Sequence, residues 1–390
     1  MKKRILFSAS LFHAFNDAST VIVPMIFPLL YSQQFIIKNY SHIGILSNLG
    51  LLTTFFCQIA IANHAHKYEY KHFLLLSSLG ISVSVLLITL SVNVVSMLLF
   101  YLVMRGFTSF YHPVGIATVS KAHPDQGLDF AMGIQSGSGN LGVFIAFISA
   151  GYLAQNFGWK MPLYVCAGVC VFLGIMSYFS VRKSSLRAKN PVRPDFSSWM
   201  EALKDIKAYI PGFIFGGACW GTTVYYAPSL FNHKFHVPLG NTGIFLALWI
   251  GVGTVMTYFY GYLSKRGSRE RLSLASLIGS TTFLFILGIS SILGIAAIVL
   301  ILFGAFLFLI YPALQSFVAE KVPEKNQVLA FSIVANIKMI TGSVVVLIAG
   351  FLSDNFGINS PFLFLVGLGI LVLANYLFRN DSPLLTSRQP

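Results

Sequence analysis

Five side chains that titrate or carry a fixed charge stand inside long apolar runs of this 390-residue sequence: His13, Asp17, Arg105, His112 and Lys338. An ionisable group at mid-bilayer costs about 2.5–3.5 kcal/mol on insertion scales, so such residues sit in a cavity or a pair. His13 is one helical turn from Asp17 on the same face, and His112 is two turns from Arg105. A carboxylate beside imidazoles can take up and release protons near neutral pH. Asp17 is the one deep carboxylate, so it is the leading proton carrier, with His13 or His112 as relay. Arg105 and Lys338 set two fixed cations against it, which favours an anionic or strongly polar ligand in low dielectric. Each residue also has a plainer reading. Asp17 and Arg105 would form a static ion pair, Lys338 would bond the carbonyls of a broken helix, and the histidines would be hydrogen-bonded core. Asn16, Tyr225, Trp249, Tyr311 and Gln315 are further candidates for ligand contact, and the last four read first as packing.

The elements that must hold these residues are membrane helices. Hydrophobic residues make up 56% of the chain and charged ones 10%, against about a quarter charged in a soluble domain. A spanning helix needs about twenty predominantly apolar residues. Spans are expected at 5–31, 40–63, 73–92, 94–119, 130–155, 160–181, 209–231, 240–264, 272–290, 293–319, 328–353 and 359–379. The first run is too long for a secretory signal, and it carries Asp17. Lys and Arg crowd alternate loops, seven of them between Arg182 and Lys207, while the opposite loops hold only Lys38, Lys160 and Lys234. Both termini are therefore expected in the cytoplasm of an inner-membrane protein. The same distribution accounts for the net charge of +14 without nucleic acid. At about 1.5 Å per residue, Asp17, Arg105 and Lys338 all fall near the midplane. Arg105 is expected to face Asp17, with His13 and His112 one layer closer to the cytoplasm. Lys338 is expected to have no carboxylate of its own half nearby.

The sequence repeats. Gly151-Tyr-Leu-Ala-Gln-Asn-Phe-Gly158 returns as Gly350-Phe-Leu-Ser-Asp-Asn-Phe-Gly357, 199 residues on, and Pro113, Pro162 and Lys67 return as Pro312, Pro361 and Arg266. The same offset pairs His112 with Tyr311, which favours Tyr311 among the aromatic candidates. The expected fold is an all-α membrane protein: twelve transmembrane helices in two six-helix bundles related by a pseudo-two-fold axis along the membrane normal. The bundles would be 1–181 and 209–390. A basic cytoplasmic linker, 182–208, would join them, its Ser198-Trp-Met-Glu201 capping a short amphipathic helix over 199–208. Cys57, Cys166, Cys170 and Cys219 lie in apolar runs, so neither a disulfide nor a metal is expected. His64, His66 and His72 read as a solvated loop. Gly133, Gly137, Gly139 and Gly142 would let the fifth span pack closely. With no phosphate-cradling Gly-Lys-Ser/Thr motif and no catalytic triad, neither an enzyme nor a cofactor is expected.

Twelve spans, a duplicated half and a central cytoplasmic loop resemble the major facilitator superfamily. His13-Ala-Phe-Asn16-Asp17, Tyr111-His112-Pro113, and Gln135 followed by Gly137, Gly139, Asn140 and Gly142 resemble its fosmidomycin-resistance-type branch. The resemblance implies alternating access about a midplane site, proton coupling, and efflux of a small polar, phosphonate-like compound by a monomer. Its partners would be the solute, protons and membrane lipid. Arg105 and Lys338 would clamp the solute's charge. Uptake or export of a carboxylate metabolite or a siderophore is the alternative, and a non-transporting membrane sensor is the alternative of another class. The superfamily's acidic gating motif is missing: His66 stands where its Asp is expected, leaving Lys67 and Glu69 in one copy and Lys265 and Arg266 in the other.

Overall fold

Apolar runs of this length must satisfy their backbone hydrogen bonds internally, which selects helices. The computed structural model describes residues 2–64, 67–123, 128–181, 196–266 and 269–378, with the backbone alone for 128–129, 319, 321 and 324–328. The first seven helices are α1 Lys2–Ser32, α2 Tyr40–His64, α3 Tyr70–Ile88, α4 Val94–Thr108, α5 Tyr111–Ala122, α6 Leu128–Phe157 and α7 Met161–Val181. After α8 Phe196–Ile206 come α9 Ile210–Ser229, α10 Leu239–Arg266, α11 Arg269–Ile289, α12 Leu293–Lys321, α13 Glu324–Phe356 and α14 Ser360–Phe378. Among the described residues, eleven stretches are long and apolar enough to cross a membrane, with α4 and α5 counted as one. The twelfth expected span, α9, has twenty residues rich in Gly, Trp and Tyr, and is not among the eleven. It packs against α12, α13 and α14, and nearly all of it is buried, so it needs little lipid-facing surface.

Two expectations are corrected here. The span 94–119 is not one helix. The chain leaves α4 at Thr108 and re-enters α5 at Tyr111, with Ser109 and Phe110 making tight i→i−3 bonds to Gly106 and Phe107. Pro113 lacks an N–H for the carbonyl of residue 109, but its repeat partner Pro312 lies inside the unbroken α12, so proline alone does not make the break. The linker helix starts at Phe196, which puts Ser198 in its first turn rather than at its cap. Ala202 and Ile206 of α8 are buried, while Phe196, Trp199 and Met200 are exposed. Linker residues 182–195, and His66, lie outside the described residues.

The 199-residue register is carried by the helices themselves. Helices starting at Tyr40, Tyr70, Val94 and Met161 recur at Leu239, Arg269, Leu293 and Ser360. A contact recurs as well: Gly80 lies under the Phe107 ring, and Gly279 lies under the Phe306 ring. Gly158 and Gly357 end equivalent helices with φ of +82° and +84°, a left-handed turn that favours glycine.

Two compact units form: Met1–Val192 with Phe231–Ala247, and Arg193–Leu230 with Leu248–Pro390. In the first, α1 packs mainly on α6 and α7, and α3 on α7 and α4. Segment Phe231–Ala247 joins this unit. Its Gly240 amide donates to Gln155 Oε1 (2.8 Å), and His233 Nε2 reaches the Pro28 carbonyl (3.0 Å) while its Nδ1 meets the Tyr40 hydroxyl (2.8 Å). In the second unit α9 packs mainly on α13, and α11 on α12 and α14. All four cysteines are free thiols.

Candidate functional site

Side chains on a helix lean toward its N-terminus. The α1 and α4–α5 crossings are three apart and run antiparallel, so Asp17 and His112 lean toward one another. His13 Nε2 lies 3.0 Å from Asp17 Oδ2, and His112 Nε2 lies 3.5 Å from Asp17 Oδ1. The two imidazoles meet edge to face at 5.3 Å. His13 lies one turn N-terminal of Asp17 on α1, and both imidazoles reach the one carboxylate. Asn16 Nδ2 donates to Asp17 Oδ1 at 3.1 Å, and its own Oδ1 is buried without a partner. The Asp17 side chain is 23% exposed and that of His112 39%, while His13 is buried. Water thus reaches the group through Asp17 and His112.

Behind His13 stands a second layer. His13 Nδ1 is 2.7 Å from the Gln135 carbonyl and 3.0 Å from Gln135 Nε2. Gln135 Nε2 donates to the Tyr111 hydroxyl (2.7 Å), which donates to the Ala9 carbonyl (2.9 Å). The Tyr111 ring stacks on His13 at 4.6 Å. The approach of α6 depends on glycine. A Cβ on Gly139 would lie 2.7 Å from His13 and 2.9 Å from Asp17 Oδ2, and one on Gly142 would lie 1.9 Å from the Ala14 carbonyl oxygen. Gly133 instead faces open space, so it is not part of the close contact.

Arg105 is buried but does not pair with Asp17. Its Nε donates to Thr54 Oγ1 (2.9 Å) and toward the Gly50 carbonyl (3.4 Å), both on α2. Asp17 is already served by two histidines and an amide, and α2 offers the guanidinium neutral acceptors instead.

In the second unit, Lys338 Nζ sits 3.7 Å from the centre of the Tyr311 ring, a cation–π contact. No carboxylate of this unit lies within ion-pair distance of it among the described residues. Gln315 is exposed on the same helix as Tyr311. Trp249 is fully buried against Trp220 and Phe308, and Tyr225 is 4% exposed, so packing rather than an open face surrounds both. At the loop motifs, Glu69 pairs with Lys71 (2.8 Å) and Lys67 is exposed. Arg266 covers the Tyr262 ring, Lys265 is exposed, and Arg269 pairs with Glu320 at 2.8 Å.

The structure therefore brings His13, Asn16, Asp17 and His112 together, and Lys338 with Tyr311. The sequence reading gave no role to Gln135, Tyr111 or Thr54. Gln135 could have been found from its four-residue spacing to Gly139, which places both on the face that meets α1. The ligand atoms of His13, Asp17 and His112 fall within 4.8 Å of one another, compact enough for an ion. His13 and Asp17 are also in direct contact at 3.0 Å. A cavity of about 170 Å³ between α1, α6 and α7 is lined by Ala14, Ala18, Gly142, Leu153, Cys166 and Leu173, walls too apolar for a polar solute.

The model of the Major Facilitator Superfamily matches residues 6–346. The chain belongs to that superfamily. An uncharacterized MFS-type transporter of Methanocaldococcus jannaschii is 25% identical over 368 residues, covering 88% of this chain and 90% of that one. Among solved structures, a bacterial homolog to the human lysosomal transporter Spinster, inward-facing and unoccupied, superposes with a TM-score of 0.84. It has 13% identity and covers 96% of both chains. A point mutant of the nucleoside transporter NupG gives 0.78 at 12% identity over 97% of this chain and all of that one. At such identities the likeness is one of fold. The chain is thus a multi-pass membrane protein and a secondary transporter, not an enzyme.

Proposed function

We propose that this transporter couples the proton gradient to movement of a small polar, anionic organic solute by alternating access, in the direction of efflux. It would work as a monomer in the inner membrane with both termini cytoplasmic, its six-helix halves being 1–181 and 209–390. The observation that carries the reading is the Asp17 carboxylate held between two imidazoles at 3.0 and 3.5 Å. A half-buried carboxylate in contact with one imidazole at 3.0 Å and another at 3.5 Å can hold, share or lose a proton with little rearrangement. Which of these it does changes the net charge of the cavity wall, and with it the affinity for an anion.

Two further features support the reading. The residues that resemble the fosmidomycin-resistance-type branch, His13, Asn16, Asp17, His112 and Gln135, converge on one cluster. Lys338 is a cation with an aromatic ring, not a carboxylate, as its neighbour, which leaves its charge available to an anionic group such as a phosphonate or carboxylate. Arg105, held through Nε, has its terminal amino groups left for the same purpose.

Reconstitution into proteoliposomes under an imposed pH gradient tests the proposal, with labelled phosphonates, carboxylates and neutral sugars as solutes. A phosphonate or carboxylate should accumulate against its gradient. Asp17→Asn should abolish that accumulation and keep solute exchange, since it removes the titrating group and preserves shape. Undiminished gradient-driven transport in Asp17→Asn would remove proton coupling at this site.

A further inference from the structure

Gln135 offers His13 Nδ1 two opposite partners. Its backbone carbonyl, 2.7 Å away, can accept a hydrogen from that nitrogen. Its side-chain Nε2, 3.0 Å away, can donate one to it. The orientation of the amide follows from the next bond in the chain. The Tyr111 hydroxyl spends its hydrogen on the Ala9 carbonyl at 2.9 Å, so toward Gln135 it presents a lone pair. The group 2.7 Å from that lone pair must be the NH2 and not the oxygen. An amide NH2 has two hydrogens, one for Tyr111 and one for His13.

The other ring nitrogen faces Asp17 Oδ2 and so carries a hydrogen whenever Asp17 is ionised. His13 then has two satisfied states. As an imidazolium it donates from Nε2 to Asp17 and from Nδ1 to the Gln135 carbonyl. As a neutral ring it keeps the Nε2 hydrogen and accepts at Nδ1 from the Gln135 amide. A buried ring nitrogen that had only the carbonyl beside it would be unsatisfied once deprotonated, at the cost of a lost hydrogen bond.

We propose that Gln135 is a positioning residue for proton exchange: by presenting both an acceptor and a donor to His13 Nδ1, it lets His13 lose that proton and keep its Nε2–H···Asp17 bond. The inference rests on the proton-coupling reading of the same cluster. Nδ1 faces Gln135 and water meets the cluster at Asp17 and His112, so the proton passes to water when the ring turns that edge outward, and one returns from water in the reverse step. Other titratable or charged groups facing the ring are Asp17 of α1, Tyr111 and His112 of α5, Arg105 of α4 behind His112, and Tyr70 of α3 behind Tyr111. Across Ala14 and Phe15, the α7 thiols Cys166 and Cys170 line the apolar cavity. Among these, Gln135 is the group that donates to Nδ1.

The test is 15N NMR of the full chain, histidine-labelled, in nanodiscs across pH 5.5–8.5, with His13→Gln to assign the His13 ring. In wild type the neutral ring should be the Nε2–H tautomer. Gln135→Leu removes the donor and keeps the carbonyl, and the ratio of Nε2–H to Nδ1–H tautomer should fall about fivefold, the worth of one net hydrogen bond. Gln135→Asn is one methylene too short to reach and should show the same loss in a polar, fold-conserving variant. A neutral His13 that keeps the wild-type tautomer ratio in both variants overturns the proposal. The readout is the ring's own hydrogen, so it is separable from the function. Coupling that survives Asp17→Asn overturns the transport reading, and an unmoved tautomer overturns Gln135 alone.

Discussion

A methyl group on Gly142 tests the α1–α6 contact that builds the site. Its Cβ would lie 1.9 Å from the Ala14 carbonyl oxygen, 2.5 Å from the Ala14 carbonyl carbon and 2.7 Å from its Cα. Ordinary contact begins near 3.4 Å, so the two backbones must part by about 1.5 Å, and no side chain is there to yield. Overpacking of this kind costs about 1–3 kcal/mol, set against a gain of up to about 1 kcal/mol from alanine's helix propensity. Gly142→Ala should therefore destabilise the protein by about 1–2 kcal/mol, read as a lowered midpoint in thermal unfolding of purified protein. The same separation would stretch His13 Nδ1 to the Gln135 carbonyl, now 2.7 Å, beyond hydrogen-bond length. Transport should fall with stability. Gly133→Ala is the internal control, since nothing lies within 4 Å of its Cβ, and it should be neutral or slightly stabilising. Equal midpoints for the two variants would refute the reasoning.

Lys338→Ala should weaken binding of an anionic solute on the order of ten- to a hundredfold, the worth of a charged hydrogen bond, and a neutral analogue far less. Equal losses in a paired binding assay would discard Lys338 as the anion's partner. Arg269→Ala should shift the unfolding midpoint little, within about 0.5 kcal/mol, because its Glu320 pair is exposed on both sides. His233 is held below the usual histidine range, first by burial and then by His236, against the opposing bond to the Pro28 carbonyl. The unfolded chain therefore binds more protons in mildly acid solution. Stability from His233 should be complete above about pH 6.5 and lost as pH falls toward its folded value. Thermal scans from pH 7.5 to 5.5 should show a steeper fall for wild type than for His233→Gln.

Hydropathy and offset carried most of the fold, because a bilayer leaves the backbone few choices and a duplication repeats its own punctuation. Gly158 and Gly357 were legible for that reason. The break before Pro113 was not read, because the apolar run continues through it unchanged. Within the site, Asp17 and His13 were legible because i,i+4 spacing fixes their contact. The contact of His112 with Asp17 was not read, since it joins two helices whose facing no spacing along one chain segment gives. Arg105 went to Thr54 for a reason no single helix contains: the choice among acceptors is made by which helix lies opposite.

The 199-residue register has a consequence for how the two halves diverged. In the first half Asp17 lies against Gly139, and its imidazole partner is His112. Carried forward, these positions are Gly216, Lys338 and Tyr311, and Gly216 lies against the Tyr311 ring. The bulky and the small residue have traded places. The trade occurs a second time: Gly50 beside Arg105 becomes Trp249 beside Gly304. A side chain added at Gly139 or at Gly216 alone would collide with the residue opposite. The charge inverted, aspartate in one copy and lysine in the other. One repeated scaffold thus carries an acid in one half and a base in the other, and a designer who wished to place a side chain at Gly139 or Gly216 would have to cut back the residue opposite it as well.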